Sequence, residues 1–97
     1  MKNIEGIKVI INSHKRNLKK RFKVKSISLF GSYLRNEENE KIDIDLLVEF
    51  STTIDLFEFI RLENFLSQLL GRKVDMVMKD TLKPRIKDRI LKEAIAI

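Results

Sequence analysis

The sequence contains no cysteine and no tryptophan, and it has a single proline in 97 residues. The absence of cysteine excludes a disulfide scaffold and any metal site built from thiolates. No apolar run approaches the roughly 18 residues that a membrane-spanning helix requires, and the scattered N-terminal lysines are unlike the apolar block of a signal peptide. Because 43% of the residues are hydrophobic, we expect residues 1–97 to form one soluble, cytoplasmic domain with its own core.

The charged residues divide the chain into two basic ends and an acidic middle. Residues 1–25 carry nine Lys or Arg against one acid, residues 26–78 carry five against ten, and residues 79–97 carry six against three. Basic ends of this kind could attract nucleic acid, an acidic protein or a triphosphate, or they could be solvated helix faces. The acidic middle is more informative, because its carboxylates fall at positions where a fold does not need them.

Hydrophobic periodicity predicts an α+β sandwich, in which helices cover a small β-sheet. Apolar residues recur at helical spacing over residues 4–22, 55–70 and 84–94, and Gly71 is expected to end the second of these helices. Strands are predicted over 24–30, 42–50 and 73–78 from their alternation and their β-branched residues. A short helix is expected at 32–36, before a polar connection over 37–41.

Three aspartates stand at strand positions that favour metal binding. Asp43 and Asp45 are two residues apart on a predicted strand, so their Cα atoms should be about 6.5–7 Å apart on one face. Burying such carboxylates unpaired would cost several kcal/mol each by order of magnitude, and a divalent cation would offset that cost. Asp75 alternates with apolar neighbours in the next strand, and if the two strands pair, the three acids could hold two metal ions. The alternative is a purely structural set of acids.

Gly31 and Ser32 lie where a strand ends and a short helix is expected to begin. Glycine allows close approach of the backbone to a phosphate, and the serine hydroxyl and free helix N–H groups can donate to it. Taken alone, a Gly-Ser pair is an ordinary turn. Its interest lies in the spacing, since ten residues separate Ser32 from Asp43.

The stretch Leu29-Phe30-Gly31-Ser32, ten residues, and then Asp43-Ile44-Asp45-Leu46-Leu47-Val48 resembles the minimal nucleotidyltransferases of the DNA-polymerase-beta superfamily. The segments 71–77 and 82–94 are similar to the family's third-carboxylate strand and C-terminal helix. The resemblance implies a small mixed sheet flanked by helices. It also implies ATP as the substrate and two magnesium ions as the cofactor. Many members are antitoxins that transfer AMP to a tyrosine of a cognate HEPN-domain RNase toxin, with which they form hetero-oligomers.

Carried over by position, the resemblance gives each candidate residue a role. Gly31 and Ser32 would contact the triphosphate, and Asp43 and Asp45 would be catalytic ligands of the metals that bridge its phosphates. Asp75 would bind the catalytic metal and help deprotonate the attacking hydroxyl. Two positions depart from the family pattern, since Asn36 follows Arg35 where members often have glycine, and Ile42 replaces a frequent serine.

Three functions therefore compete. The first is magnesium-dependent AMP transfer to a partner protein. The second is an antitoxin that binds its toxin without essential chemistry, using the basic N-terminal helix and the apolar end 94–97. Nucleic-acid binding is the least favoured, because the aromatic residues lie in buried patterns rather than among the lysines. Tyr33 is the exception, and it could either stack on a base or cap its turn.

Overall fold

The computed structural model describes residues 4–31, 33–34 and 43–97. The predicted helix at 32–36 and the polar connection at 37–41 fall almost wholly outside these residues, as do Ser32, Asn36 and Ile42. The elements are α1 (Ile4–Ser13), α2 (Lys15–Arg21), β1 (Val24–Phe30), β2 (Ile44–Phe50), α3 (Leu56–Leu70), β3 (Val74–Met78), a 3₁₀ turn (Lys79–Thr81), α4 (Pro84–Glu93) and β4 (Ile95–Ala96). In the described parts of the chain, no helix has the length and apolarity needed to cross a membrane.

The described strands form one mixed sheet in the order β3-β2-β1-β4. Strand β1 runs antiparallel to β2 and β4, whereas β3 runs parallel to β2. The predicted small mixed sheet flanked by helices is therefore confirmed.

The predicted N-terminal helix over 4–22 is wrong in its continuity, because it divides at His14. The Ser13 hydroxyl donates to the Ile10 carbonyl at 2.7 Å, and His14 Nδ1 lies 3.1 Å from the same oxygen. The His14 N–H consequently bonds to Ile11 instead. Side chains that compete for a helical carbonyl weaken the ladder. The His14 ring packs edge-on against Phe65, with centroids 6.0 Å apart.

Strand β4 was not predicted, and the apolar end 94–97 lies at the edge of the sheet with intermediate or exposed side chains. Ala96 pairs with Ser28 and Ile95 with Leu29, and the Ile97 N–H donates to the Ile27 carbonyl at 2.9 Å. The segment therefore completes the sheet edge beside β1. A strand of two residues has too little alternation for its pattern to be recognised.

The core lies between one face of the sheet and helices α1, α2 and α3. On β2, Ile44, Leu46 and Val48 are fully buried, and they alternate with Asp45 and Glu49 on the opposite face. Helix α3 is fixed at its ends by an Asp55–Glu58 capping box and by Gly71 in the left-handed conformation, as expected for such signals. The sheet thus has one apolar face and one face that carries acids.

Candidate functional site

The predicted site residues meet at one end of the sheet. The register pairs Phe30, the last residue of β1, with Asp45 near the start of β2. The same register pairs Asp45 with Asp75 near the start of β3. Because β1 runs against β2 and β3, its C-terminal end lies beside their N-terminal ends. Gly31, which follows Phe30, is therefore next to the two aspartates.

Asp45 and Asp75 form a side-by-side carboxylate pair. They are register partners on adjacent parallel strands, which lie about 4.8 Å apart, and both occupy the face opposite the core. Asp45 is half-buried and Asp75 is exposed. Among the described residues, none forms an ion pair or a side-chain hydrogen bond with the Asp75 carboxylate. This pair accordingly places two carboxylates side by side at the sheet end, where they could meet a cation together.

Asp43 lies just before β2 on the same side of the strand. Its carboxylate is 3.8 Å from Lys73 Nζ, and the Ile44 N–H donates to the Lys73 carbonyl at 3.0 Å, which extends the ladder by a residue. Asp43 is therefore adjacent to the pair and forms an exposed ion pair with Lys73. Sequence reasoning did not identify Lys73 as part of this site.

The donor set fits magnesium only with help from a substrate. Within the described ranges, no three acidic, histidine or cysteine side chains are arranged to hold a metal ion. The pair of Asp45 and Asp75 supplies carboxylate oxygens, and magnesium usually takes one or two carboxylates together with substrate phosphates. Such a pair suits a magnesium–triphosphate complex better than a metal held by protein alone. The assignment of all three aspartates as metal ligands stays a prediction.

Glycine is required at position 31 for two independent reasons. Its φ is +83°, a left-handed conformation that costs a residue with a side chain about 1–2 kcal/mol. A Cβ at this position would overlap Asp45 Oδ2 and lie 3.0 Å from Asp45 Cγ. The Asp45 carboxylate therefore packs directly on the Gly31 backbone. The predicted triphosphate contacts of Gly31 and Ser32 remain predictions, and Ser32 lies outside the described residues.

Glu93 is a site residue that sequence reasoning missed. The Gly31 N–H donates to Glu93 Oε1 at 3.1 Å, across 62 positions of sequence. Glu93 is the last residue of α4, and the following strand β4 brings it to the end of β1. The sequence offers no local signal for this contact, because it depends on the pairing of a strand that was itself unrecognised.

Tyr33 has a structural role rather than a base-stacking one. Its side chain is 1% exposed and belongs to the core, and the guanidinium of Arg72 lies over its ring at 5.3 Å from the centroid. The Leu34 N–H donates to the Gly31 carbonyl at 3.1 Å, which closes the turn around Tyr33. Of the two roles considered for this residue, the burial of its ring favours the structural one over stacking on a base.

Glu49 lies on the same face of β2 as Asp45, but its surroundings are those of a structural acid. Its carboxylate lies 3.8 Å from both Lys25 Nζ and Lys79 Nζ, and it accepts a hydrogen bond from Ser26 at 3.2 Å. Basic and hydroxyl side chains thus surround Glu49, unlike Asp75. Glu49 is a natural control for experiments on the aspartates.

The chain matches the sequence model of the nucleotidyltransferase domain over residues 11–97. A relative from Methanocaldococcus jannaschii, provisionally named a protein adenylyltransferase, is 53% identical over 98 residues. The alignment covers 100% of this chain and 100% of the relative. The protein adenylyltransferase MntA of Thermococcus cleftensis is 43% identical over 97 residues, with 100% of this chain and 98% of the relative aligned.

Solved structures agree with the sequence relatives. A structure provisionally described as a minimal nucleotidyltransferase aligns with this chain at a TM-score of 0.82 and 33% sequence identity. The alignment covers 99% of this chain and 97% of the chain in that structure. A Shewanella oneidensis complex of a tri-AMPylated HEPN toxin with an MNT antitoxin gives a TM-score of 0.65 at 23% identity. That match covers 93% of this chain and 70% of the other, and it supports the fold alone. From the domain match and these relatives, the chain belongs to the nucleotidyltransferase domain family, among its minimal nucleotidyltransferases.

Proposed function

We propose that this nucleotidyltransferase is a magnesium-dependent protein adenylyltransferase, which transfers AMP from ATP to a tyrosine of a cognate HEPN-type toxin. The observation that carries the proposal is the Asp45–Asp75 pair beside the left-handed Gly31 at one end of the sheet. The names of the relatives support AMP as the transferred group and a protein as the acceptor. The complex of an AMPylated HEPN toxin with an MNT antitoxin supports the class of partner.

Each aspartate has a distinct part in the proposed reaction. Asp43, Asp45 and Asp75 would hold the cation that accompanies ATP, and Asp45 is kept in place by its packing on Gly31. The exposed Asp75 would also face the acceptor and take the proton of its hydroxyl. The hydroxyl oxygen bonds to the α-phosphorus as the bond to the bridging oxygen breaks, and pyrophosphate leaves. Magnesium, when bound, neutralises the phosphate charge and makes the phosphorus more electrophilic.

A protein acceptor suits the small size of this chain. In these 97 residues, most of the described ones belong to the sheet and its helices. An acceptor that brings its own surface fits this architecture, and we expect a hetero-oligomer of the chain with its toxin. The ATP substrate implies that the reaction takes place in the cytoplasm.

The proposal is tested by incubating the purified chain with labelled ATP, magnesium and the cognate toxin. We expect label on the toxin with the wild type and a loss of at least about hundredfold in Asp45→Asn or Asp75→Asn, as for removal of a group that stabilises developing charge. Glu49→Gln is the matched control, because it removes a carboxylate from the same face without touching the site. Equal labelling by wild type and Asp45→Asn, or no labelling at all, would refute the proposal.

Neutralisation by binding alone is the second candidate function. It is favoured by exposed apolar side chains near the start of α3, where Leu56 and Phe57 are 68% and 76% exposed. Apolar exposure of this kind is typical of protein interfaces. The discriminating experiment is protection of cells from the toxin at native expression by an Asp43→Ala/Asp45→Ala double variant. Full protection would establish masking, whereas loss of protection would favour chemistry.

A further inference from the structure

The contact between Glu93 and Gly31 places a carboxylate against the turn that is expected to approach a triphosphate. The Gly31 N–H is 3.1 Å from Glu93 Oε1, and the Gly31 carbonyl accepts from Leu34 at 3.1 Å. Both polar backbone groups of Gly31 are therefore used within the protein. Gly31 contributes its left-handed bend and its bare Cα, while its N–H is already donated to Glu93.

An anionic side chain beside a phosphate site would repel the ligand. Its presence at this position therefore points to another task. That task follows from the conformation of Gly31, since glycine populates several backbone regions with similar ease. A hydrogen bond donated to a charged acceptor, here from the Gly31 N–H to Glu93, is stronger than one between neutral groups. Glu93 thus restricts Gly31 to the φ of +83°. In this conformation the Asp45 carboxylate packs on the Gly31 backbone.

The sheet holds Glu93 at the required position. Leu29 pairs with Ile95 in the antiparallel β1–β4 register, so the continuation of this register sets Gly31 opposite Glu93. Ala94 leaves the helix with extended backbone angles of −66° and 141°, which turns the chain from α4 into β4. The pairing of β4 therefore determines where the carboxylate of Glu93 lies.

We propose that Glu93 is a positioning residue of the nucleotide site, which fixes Gly31 and through it the carboxylate of Asp45. The inference rests on the proposed function, because the group being positioned is the one that binds magnesium–ATP. Glu93 itself touches neither the nucleotide nor the acceptor. The hydrogen-bond acceptor at its tip is the property that positions Gly31, and its charge only strengthens that bond.

Three substitutions separate these properties. Glu93→Ala removes the acceptor, Glu93→Gln keeps an acceptor oxygen without the charge, and Glu93→Asp keeps the charge but shortens the reach. Asp88→Ala is the control, since it removes another acid from the same helix at an exposed position. The probes are magnesium with AMP-PNP, measured by titration calorimetry, and hydrogen exchange at the Gly31 amide, measured by NMR without nucleotide.

We expect Glu93→Ala and Glu93→Asp to weaken AMP-PNP binding about tenfold and to speed exchange at the Gly31 amide by at least about tenfold, as for a lost hydrogen bond to a charged group. Glu93→Gln should stay within about twofold of the wild type in both measurements, and Asp88→Ala should match the wild type. Tighter binding by both Glu93→Ala and Glu93→Gln would overturn the inference, because it would show that the carboxylate acts by repulsion.

The two proposals fail in different ways. If the wild type binds no AMP-PNP, the proposed function is wrong, and the exchange of the Gly31 amide still decides whether Glu93 holds the turn. If the wild type binds AMP-PNP and Glu93→Ala binds it equally well, only the inference about Glu93 is wrong.

Discussion

Replacement of Gly31 by alanine tests the link between the turn and the metal-binding face. The substitution has two separable costs. The first is the left-handed backbone at φ +83°, which costs alanine about 1–2 kcal/mol. The second is the overlap of the new Cβ with the side chain of Asp45, and overpacking of this kind costs about 1–3 kcal/mol. A smaller opposing effect of about 0.4–1 kcal/mol comes from the reduced entropy of the unfolded chain.

Gly71 provides a matched control for the backbone cost. Its φ is +67°, and it is an exposed residue that caps the C-terminus of α3. Gly71→Ala should therefore be destabilised by about 1 kcal/mol, from the conformation alone. Gly31→Ala should lose about 2 kcal/mol more, which is the cost of the overlap. Urea denaturation of the variants measures both values, provided that the m-value is unchanged.

A double-mutant cycle assigns the extra cost to Asp45. In an Asp45→Ala background the carboxylate that overlaps the Cβ is gone, so Gly31→Ala should cost about 1–2 kcal/mol less than in the wild type. AMP transfer should fall about hundredfold in Gly31→Ala, as for a displacement of about 1 Å in a catalytic group. The reasoning is refuted if Gly31→Ala is no less stable than Gly71→Ala, or if it transfers AMP at the wild-type rate.

The remaining predictions concern the carboxylates, the core and the α3 cap. Asp75→Asn should leave the urea midpoint nearly unchanged, because the carboxylate is exposed and has no ion pair among the described residues, while it abolishes AMP transfer; a large loss of stability would mean that Asp75 is structural. Tyr33→Ala should be destabilised by about 3–5 kcal/mol, as for other buried aromatic residues, and a loss below 1 kcal/mol by calorimetry would contradict the burial of its ring. Asp55→Ala should cost about 1 kcal/mol through loss of the capping box, with the exposed Asp88→Ala as the control in thermal unfolding.

The sequence predicted the strands more accurately than the helices. Alternation located the acids and the buried face of β2, since a period of two is set by the geometry of each residue pair. Gly71 likewise located the C-terminal end of α3, whereas its N-cap, expected among Ser51, Thr52 and Thr53, is Asp55. The division of the first helix at His14 was not predictable in this way, because it depends on which side chain takes the Ile10 carbonyl.

The candidate site was predictable in part. Asp45, Asp75 and Gly31 were identified from spacing and from resemblance, and the register places them together. Glu93 could not be identified, since it reaches the site through the pairing of β4, which no local pattern encodes. Lys73 lies in a predicted strand, but nothing in the alternation marks its contact with Asp43. The burial of Tyr33 was equally inaccessible, because it depends on how the turn after Gly31 closes over the core.

The central claim is that the Asp45–Asp75 pair binds magnesium with ATP. Its most direct test is titration of the purified chain with ATP, with magnesium present or removed by a chelator. We predict saturable binding that requires magnesium, that is lost in Asp45→Asn and Asp75→Asn, and that persists in Glu49→Gln. Binding of equal strength without magnesium, or in either aspartate variant, would contradict the claim.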